Sequence, residues 1–133
     1  MARPTQKSTS NRKKVVRTVT HGKMFVTATF NSTLASVTDM EGNVLCWSST
    51  GESGFTGSRK STPYAATITI ENAIAKARQF GIGELALYIK GPGPGRDVAL
   101  RVVRAQKIRL SAIIDQTPMP HNGTRPRKAK HNK

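Results

Sequence analysis

The second half of the chain alternates twice between helical and strand patterns, and this alternation restricts the fold more than any other feature. The helical patterns cover residues 63–80 and 96–107, and the strand patterns cover residues 84–90 and 108–115. Glycines and prolines separate these segments. Helices that connect strands in this order place the strands parallel in one sheet, so the sequence predicts an α/β fold.

The first helical pattern has its own start and stop signals. Thr62 is in position to cap the helix, Pro63 suits the first helical position, and Gly81 can end it. We interpret the apolar stripe along this helix as core that packs on the sheet. The stripe consists of Ala66, Ile70, Ala73, Ala77 and Phe80.

The first half of the chain predicts three antiparallel strands. Residues 15–21 and 24–30 are rich in β-branched and aromatic side chains, and Gly22-Lys23 between them predicts a hairpin turn. A third strand is predicted around residues 44–47, after a turn over residues 38–43. Together with the two later strand segments, these strands complete a mixed sheet of five.

Charge divides the chain into a near-balanced centre and two basic extensions. The chain has 22 Lys and Arg against 7 Asp and Glu, a formal net charge of +15. All seven acids lie between Asp39 and Asp115. We therefore predict a basic extension over residues 1–14, one α/β domain over residues 15–116 and a basic tail over residues 117–133. Such an excess of cations favours nucleic acid as the partner of the chain. The alternative is that the two extensions only keep the chain soluble.

Other features bound the class of protein. No apolar run approaches the roughly 20 residues of a membrane-spanning helix, and the polar N-terminus lacks the apolar core of a secretory signal. An organellar transit peptide would share the basic, acid-free composition of this N-terminus. The single cysteine, Cys46, lies in an apolar stretch, which favours packing over a reactive thiol and indicates a reducing compartment.

Residues 54–62 (GFTGSRKST) suggest two kinds of phosphate site. A nucleotide-binding loop needs glycine immediately before its lysine so that the backbone can wrap around the phosphates, but Arg59 precedes Lys60 here. This difference argues against a nucleotide hydrolase. Because a helix start presents free N–H groups and a partial positive charge, the segment from Ser58 to Thr62 predicts a cradle for nucleic-acid phosphates.

Other enzymatic sites lack the residues they need. A two-metal nuclease requires converging carboxylates, one of them on the first strand, and that predicted strand has no acid. The three histidines, His21, His121 and His131, are not at the spacing of metal ligands. The sequence therefore predicts no catalytic residue, no metal and no cofactor.

A second glycine-rich turn, residues 91–95 (GPGPG), repeats the arrangement of the first loop, because Arg96 follows it at a helix start. Two cationic corners of this kind predict a wide footprint on a folded polyanion. The same helix has a predicted inner face of Val98, Val102 and Ala105, and a basic stripe of Arg101, Arg104 and Lys107.

Aromatic residues make up only 5% of the chain, so stacking on nucleic-acid bases is not the main expectation. We predict that Phe25, Phe30, Phe80 and Tyr88 belong to the core. For Phe55, in the first glycine-rich loop, contact with RNA and packing under the loop are both open.

Three motifs together resemble a known family. GFTGSRKSTPYAA, GPGPGR and DQTPMPHNGTRP occur here in the order typical of bacterial-type small-subunit ribosomal protein eleven. The resemblance implies a ribonuclease-H-like three-layer α/β sandwich without catalytic acids. It also implies a structural constituent of the small ribosomal subunit, which binds the central domain of the ribosomal RNA on the platform, near the messenger exit and the Shine-Dalgarno cleft.

The resemblance also implies the partners. These are small-subunit ribosomal RNA and neighbouring platform proteins, with messenger RNA nearby, no membrane and no second copy, in a bacterial or an organellar ribosome. A DNA-packaging protein or another RNA chaperone is the alternative. From the motifs and the charge pattern, the expected RNA-binding residues are Arg12, Lys13, Lys14, Gly57, Ser58, Arg59, Lys60, Ser61, Thr62, Gly93, Gly95, Arg96, Arg101, Arg104, Pro120, His121, Asn122, Gly123, Arg125, Arg127 and Lys128.

Overall fold

The structure, a computed structural model, describes residues 18–128. Both predicted helices and the last three predicted strands are confirmed, with bounds that agree to within two residues. In chain order the elements are β1 (His21–Ala28), β2 (Thr33–Thr38), β3 (Val44–Ser49), a 3-10 helix (Gly57–Ser61), α1 (Pro63–Arg78), β4 (Glu84–Lys90), α2 (Gly95–Ala105) and β5 (Arg109–Asp115).

The five strands form one mixed sheet in the order β3-β2-β1-β4-β5. β2 is antiparallel to both of its neighbours, whereas β4 is parallel to β1 and to β5. Four strands therefore run in one direction and β2 runs in the other. The predicted α/β class and the five-stranded mixed sheet are confirmed.

The predicted hairpin turn at Gly22-Lys23 is wrong, because both residues lie inside β1. The chain turns instead over residues 29–32, where the Thr29 hydroxyl accepts hydrogen bonds from two backbone N–H groups of the turn. The strand that follows, β2, was not predicted. Of the predicted first strand, residues 18–20 are not in a strand and residues 15–17 lie outside the described part of the chain.

Both helices pack on the same face of the sheet and against each other. In β1, Met24 and Val26 are buried toward the helices, while Lys23 and Phe25 on the opposite face are only half-buried. This arrangement follows from the right-handed rule, because both strand-helix-strand connections cross the sheet in the same direction. Residues 18–128 thus form two layers, and the third layer of the expected sandwich is not among them.

The core is one cluster of aliphatic side chains from the sheet and from both helices. Ala66, Ala73 and Ala77 of the predicted stripe are fully buried, and their small side chains let α1 approach the sheet closely. Four predictions of core residues are wrong. Phe25 and Tyr88 are half-buried on the sheet face away from the helices, outside the core cluster. Ala105 is exposed at the last position of α2, and Phe30 is exposed because it stands in the turn between β1 and β2.

Candidate nucleic-acid interface

The carboxyl ends of β1, β3, β4 and β5 meet at one end of the sheet, because these strands run in the same direction. We call this the carboxyl end of the sheet. Both helices begin there, and open α/β sheets characteristically bind their ligands at this end. The segments that emerge from it are the turn 29–32, the loop 50–62, the turn 91–94 and the tail from residue 116.

The first cationic corner consists of Arg59 and Lys60 in the 3-10 helix. Gly54 and Gly57 adopt positive φ angles of 95° and 57°, which bend the loop on either side of Phe55. Arg59 is exposed and Lys60 is half-buried. No carboxylate among residues 18–128 forms an ion pair with either side chain, so both charges are available to a phosphate.

The helix start beside this corner offers fewer N–H groups than predicted. The Thr62 hydroxyl accepts a hydrogen bond from the Ala65 N–H at 3.2 Å, which confirms the cap. Pro63 has no N–H to offer. The Ser61 hydroxyl donates to the Ser58 carbonyl at 2.8 Å. The corner therefore presents mainly the charges of its two cationic side chains.

Phe55 packs within the first loop. Its ring meets the Tyr64 ring edge to face, with centroids 5.9 Å apart. Phe55 is half-buried, whereas Tyr64 is 65% exposed beside the two cations. Tyr64 is therefore the more accessible ring, and the choice between RNA contact and packing for Phe55 stays open.

The glycines of the second turn allow close packing. A Cβ at Gly91 would lie 2.3 Å from the Ala28 carbonyl oxygen, and one at Gly93 would lie 2.2 Å from the Thr29 oxygen. The Gly93 N–H also donates to Ala28 O at 2.8 Å. This turn and the turn 29–32 are thus joined. Because Gly93 and the nearby Gly95 are buried, they support the shape of the corner from inside.

Arg96, which was predicted to bind RNA, makes several contacts within the chain. Its guanidinium donates to Asp115 Oδ2 at 2.8 Å, to Gly91 O at 3.1 Å and to Thr117 Oγ1 at 3.0 Å. Asp115 Oδ1 also accepts hydrogen bonds from the Thr117 N–H and hydroxyl. The bonds from Arg96 and Thr117 hold the pKa of the Asp115 carboxyl well below its usual range. Arg96 therefore joins the second turn, the end of β5 and the start of the tail.

The predicted basic stripe on α2 is exposed. Arg101, Arg104 and Lys107 all reach solvent, and Val98 and Val102 are buried on the inner side. Arg101 lines a groove of about 330 Å³ between the two helices, and Tyr64 lines the same groove. The groove thus connects the first cationic corner with the stripe.

The described part of the tail, residues 116–128, is exposed throughout. Asn122 has a φ of 56°, as expected for the turn predicted at Asn122-Gly123. These residues are accessible to a partner. Three predicted contacts, Arg12, Lys13 and Lys14, lie outside the described residues. The tail positions that remain predictions are Pro120, His121, Asn122, Gly123, Arg125, Arg127 and Lys128.

Phe30 is a candidate that the sequence analysis missed. It is 71% exposed in the turn 29–32, at the carboxyl end of the sheet. The Thr29 hydroxyl is hydrogen-bonded to the backbone of Asn31 and Ser32, so the backbone that carries Phe30 is fixed. The signal was available, since Asn31 and Ser32, which directly follow Phe30, are residue types that favour turns.

We also searched the described residues for a metal site, a membrane-spanning helix and a reactive thiol. Within residues 18–128 no three His, Cys, Asp or Glu side chains are grouped as metal ligands would be. Likewise, none of the helices described is long and apolar enough to span a membrane. Cys46 is half-buried, and burial raises the pKa of its thiol, which agrees with a packing role.

Comparison with known proteins gives one family. The family model described as ribosomal protein S11 matches residues 22–131. The chain is 48% identical over 123 residues to the small ribosomal subunit protein uS11 of Borreliella burgdorferi (strain ZS7), which covers 92% of this chain and 95% of the relative. It is 49% identical over 120 residues to the protein of the same name from Ruthia magnifica subsp. Calyptogena magnifica, with coverages of 90% and 94%. The family match includes the sheet, both cationic corners and the described tail.

Proposed function

Because this chain belongs to the ribosomal protein S11 family, we propose that it docks on folded small-subunit ribosomal RNA through the carboxyl end of its sheet. It is a structural constituent of the small ribosomal subunit, where it binds ribosomal RNA and other ribosomal proteins, and it is not an enzyme. The observation that carries the proposal is the convergence of both cationic corners and the tail at one end of the domain.

The charges at the two ends of the sheet support this orientation. At the carboxyl end, Asp115 is paired with Arg96, and Glu52 is paired with Lys76 at 2.6 Å, so these acids repel phosphates less. The opposite end carries the acidic turn 39–43 between β2 and β3. Asp97, exposed in the first turn of α2, has no ion pair among the described residues, and the opposite end also carries the cation Arg109. The pairing of Asp115 and Glu52 therefore lowers part of the repulsion that ribosomal RNA would meet at the carboxyl end.

The chemistry of binding follows from these groups. Neutralisation of phosphates by the side chains of Arg59, Lys60, Arg101 and the basic tail supplies most of the affinity, because it releases counterions from the RNA. The two joined turns supply shape, which is how proteins distinguish folded RNA when base edges are not accessible. We infer that Phe30 and Tyr64 stack on unpaired bases at the margins of this footprint.

We further propose that the RNA-binding set comprises all the residues expected from the sequence, with the buried Gly93 and Gly95 and with Arg96 acting through the shape of the second corner. In the subunit we infer a single copy on the platform, bound to the central domain, near the messenger exit and the Shine-Dalgarno cleft. We also infer the cytoplasmic ribosome of a bacterium in preference to an organellar one, because the relatives compared are bacterial.

Comparison of two nucleic acids tests the proposal. The full chain should bind a transcript of the small-subunit central domain at least about a hundredfold more tightly than random duplex DNA at the same salt concentration. Equal affinity for the two would contradict it and would favour a DNA-packaging protein, which tolerates any duplex. The salt concentration must be fixed, since the phosphate contribution varies steeply with it.

A further inference from the structure

The face of the sheet turned away from both helices carries a row of five paired positions, four of which hold large aromatic or aliphatic side chains. We call the surface formed by this row and by Leu34, which lies beside it on β2, the open face. Trp47, Leu34 and Ile114 are 52%, 41% and 37% exposed. Helix α1 reaches this row at the edge strand β3, where Lys76 Nζ lies 6.0 Å from the centroid of the Trp47 ring. The paired positions across the five strands are Trp47, Ser36, Phe25, Tyr88 and Ile114.

Large apolar side chains are unusual on a sheet face that is exposed to solvent. Strands in parallel sheets are normally covered on both faces, and β1, β4 and β5 are parallel here. Soluble monomers also rarely expose contiguous apolar patches of large side chains. We propose that the open face is the docking surface for another small-subunit protein, whose contacting segment is apolar and carries carboxylates. This proposal rests on the proposed function, because that function provides the assembly in which the partner is met.

The charges on this face indicate the chemistry of the partner. Strand alternation places Lys23, Lys90 and Arg109 on the same side as the open face. The acid among them, Glu84, is already paired with His21, whose Nδ1 lies 2.8 Å from Glu84 Oε2. A partner segment that places carboxylates around its apolar centre would therefore complement the open face.

RNA fits the open face less well than a protein does. The Phe25 and Tyr88 rings stack on each other, with centroids 4.7 Å apart and planes 19° from parallel. Each ring thus already uses one face, which a nucleobase would otherwise occupy. Leu34 and Ile114 are aliphatic and gain most from contact with other apolar side chains.

Two other occupants are disfavoured by charge. The chain's own residues 1–17 contain Lys and Arg but no acid, so they would bring further cations to Lys23 and Arg109. A second copy would oppose the same cations to one another across a symmetric contact. A different protein with carboxylates avoids both penalties.

Neighbouring residues of β5 provide a matched test. Ile114→Glu places a charge on the open face, whereas Ile113→Glu places the same charge on the adjacent residue, which is 51% exposed on the opposite face. Each full-length variant is reconstituted with small-subunit ribosomal RNA and the total proteins of the small subunit. Quantitative mass spectrometry then measures every protein in the purified particle, and binding to the central-domain transcript is measured separately.

We expect Ile114→Glu to bind the transcript within about twofold of the unsubstituted chain, but to lower the incorporation of one protein by about tenfold or more. Ile113→Glu should leave both measurements unchanged. Lys23→Glu should lower incorporation of the same protein. The proposal would be overturned if particles assembled with Ile114→Glu contained every protein in the usual amount. It would also be overturned if Ile113→Glu lowered the incorporation of the same protein equally. If the unsubstituted chain itself fails to bind the transcript, the proposed function fails instead.

Three further outcomes would assign the open face to another occupant and overturn the proposal. A loss of RNA affinity specific to Ile114→Glu would indicate RNA. A concentration-dependent dimer of the free chain in sedimentation, abolished by Ile114→Glu, would indicate a second copy. Trp47 is the single tryptophan, so stronger quenching of its fluorescence by acrylamide after deletion of residues 1–17 would indicate the chain's own N-terminus.

Discussion

Arg96 and Asp115 form an ion pair with Nη2 and Oδ2 2.8 Å apart, and this pair joins the start of α2 to the end of β5. Thr117 bonds to both residues, so the pair also fixes the point at which the tail leaves the sheet. Arg96 thus orients the second turn and the start of the tail, the segments that we propose bind RNA. An arginine at this position suits the task because its planar guanidinium donates in several directions at once.

Acidification should loosen this junction. The pKa of Asp115 is depressed in the folded chain, mainly by Arg96 and then by Thr117, so its contribution is present above the unfolded carboxyl pKa. That contribution is lost as pH falls below about 4, toward the depressed pKa of the folded chain. The Thr117 amide should then show less protection in hydrogen exchange, once corrected for the intrinsic effect of pH.

Asp115→Asn should show reduced protection of Thr117 already at neutral pH and should remove the acid-dependent change. Asp97→Asn, in the first turn of α2, is the matched control and should keep the parental behaviour. Parental protection that stays constant across the acid range would contradict the role given to the Arg96–Asp115 pair.

Gly93→Ala should destabilise the fold. The added Cβ would lie 2.2 Å from the Thr29 oxygen, so the two turns must separate, at a cost of about 1–3 kcal/mol in the free energy of unfolding. Gly83→Ala is the control, because a Cβ there meets nothing within 4 Å. Urea denaturation measures both. Equal stability of the two variants would show that the joined turns do not need glycine.

Removal of the first cationic corner should weaken RNA binding without unfolding the chain. Arg59→Ala with Lys60→Ala should flatten the dependence of log affinity on log salt by roughly two phosphate contacts. Arg109→Ala removes an exposed cation from the opposite end of the sheet and should leave the slope near the parental value. An unchanged slope in the double variant, measured by filter binding over a salt series, would refute the phosphate role of this corner.

Phe30→Ala should lower affinity for the central-domain transcript by about 1–3 kcal/mol, the range for loss of one aromatic-base stack. Met40→Ala is the control, since Met40 is also an exposed apolar residue in a hairpin turn, but at the opposite end of the sheet. Both variants should keep the parental unfolding midpoint, because neither side chain is in the core. Equal RNA affinities for the two variants would exclude stacking by Phe30.

The second half of the fold was predictable because its signals are local. α1 has its cap, proline and apolar stripe in consecutive turns, and β4 lies between glycines at the expected bounds. The hairpin between β1 and β2 was not predictable in the same way. Gly22 resembles a turn residue, yet it is glycine because a Cβ would lie 2.8 Å from the Thr38 oxygen of the neighbouring strand.

The sequence indicated which residues belong to the candidate site better than it indicated how those residues contact one another. Arg59 and Lys60 reach solvent as expected, because two adjacent cations in a glycine-rich surface loop are rarely buried in a core. The pairing of Arg96 with Asp115 depends on two strands and a helix coming together, which periodicity does not specify. The exposed Phe30 was missed for a different reason: its burial depends on where the chain turns, and the turn was placed at Gly22-Lys23 instead of residues 29–32.

The most direct test of the central claim is hydrogen exchange of the full chain, free and bound to the central-domain transcript. Docking through the carboxyl end of the sheet predicts increased protection in residues 29–32, 57–62 and 91–96, with no change in the turn 39–43. Increased protection in the turn 39–43 without a change in the other three segments would contradict it.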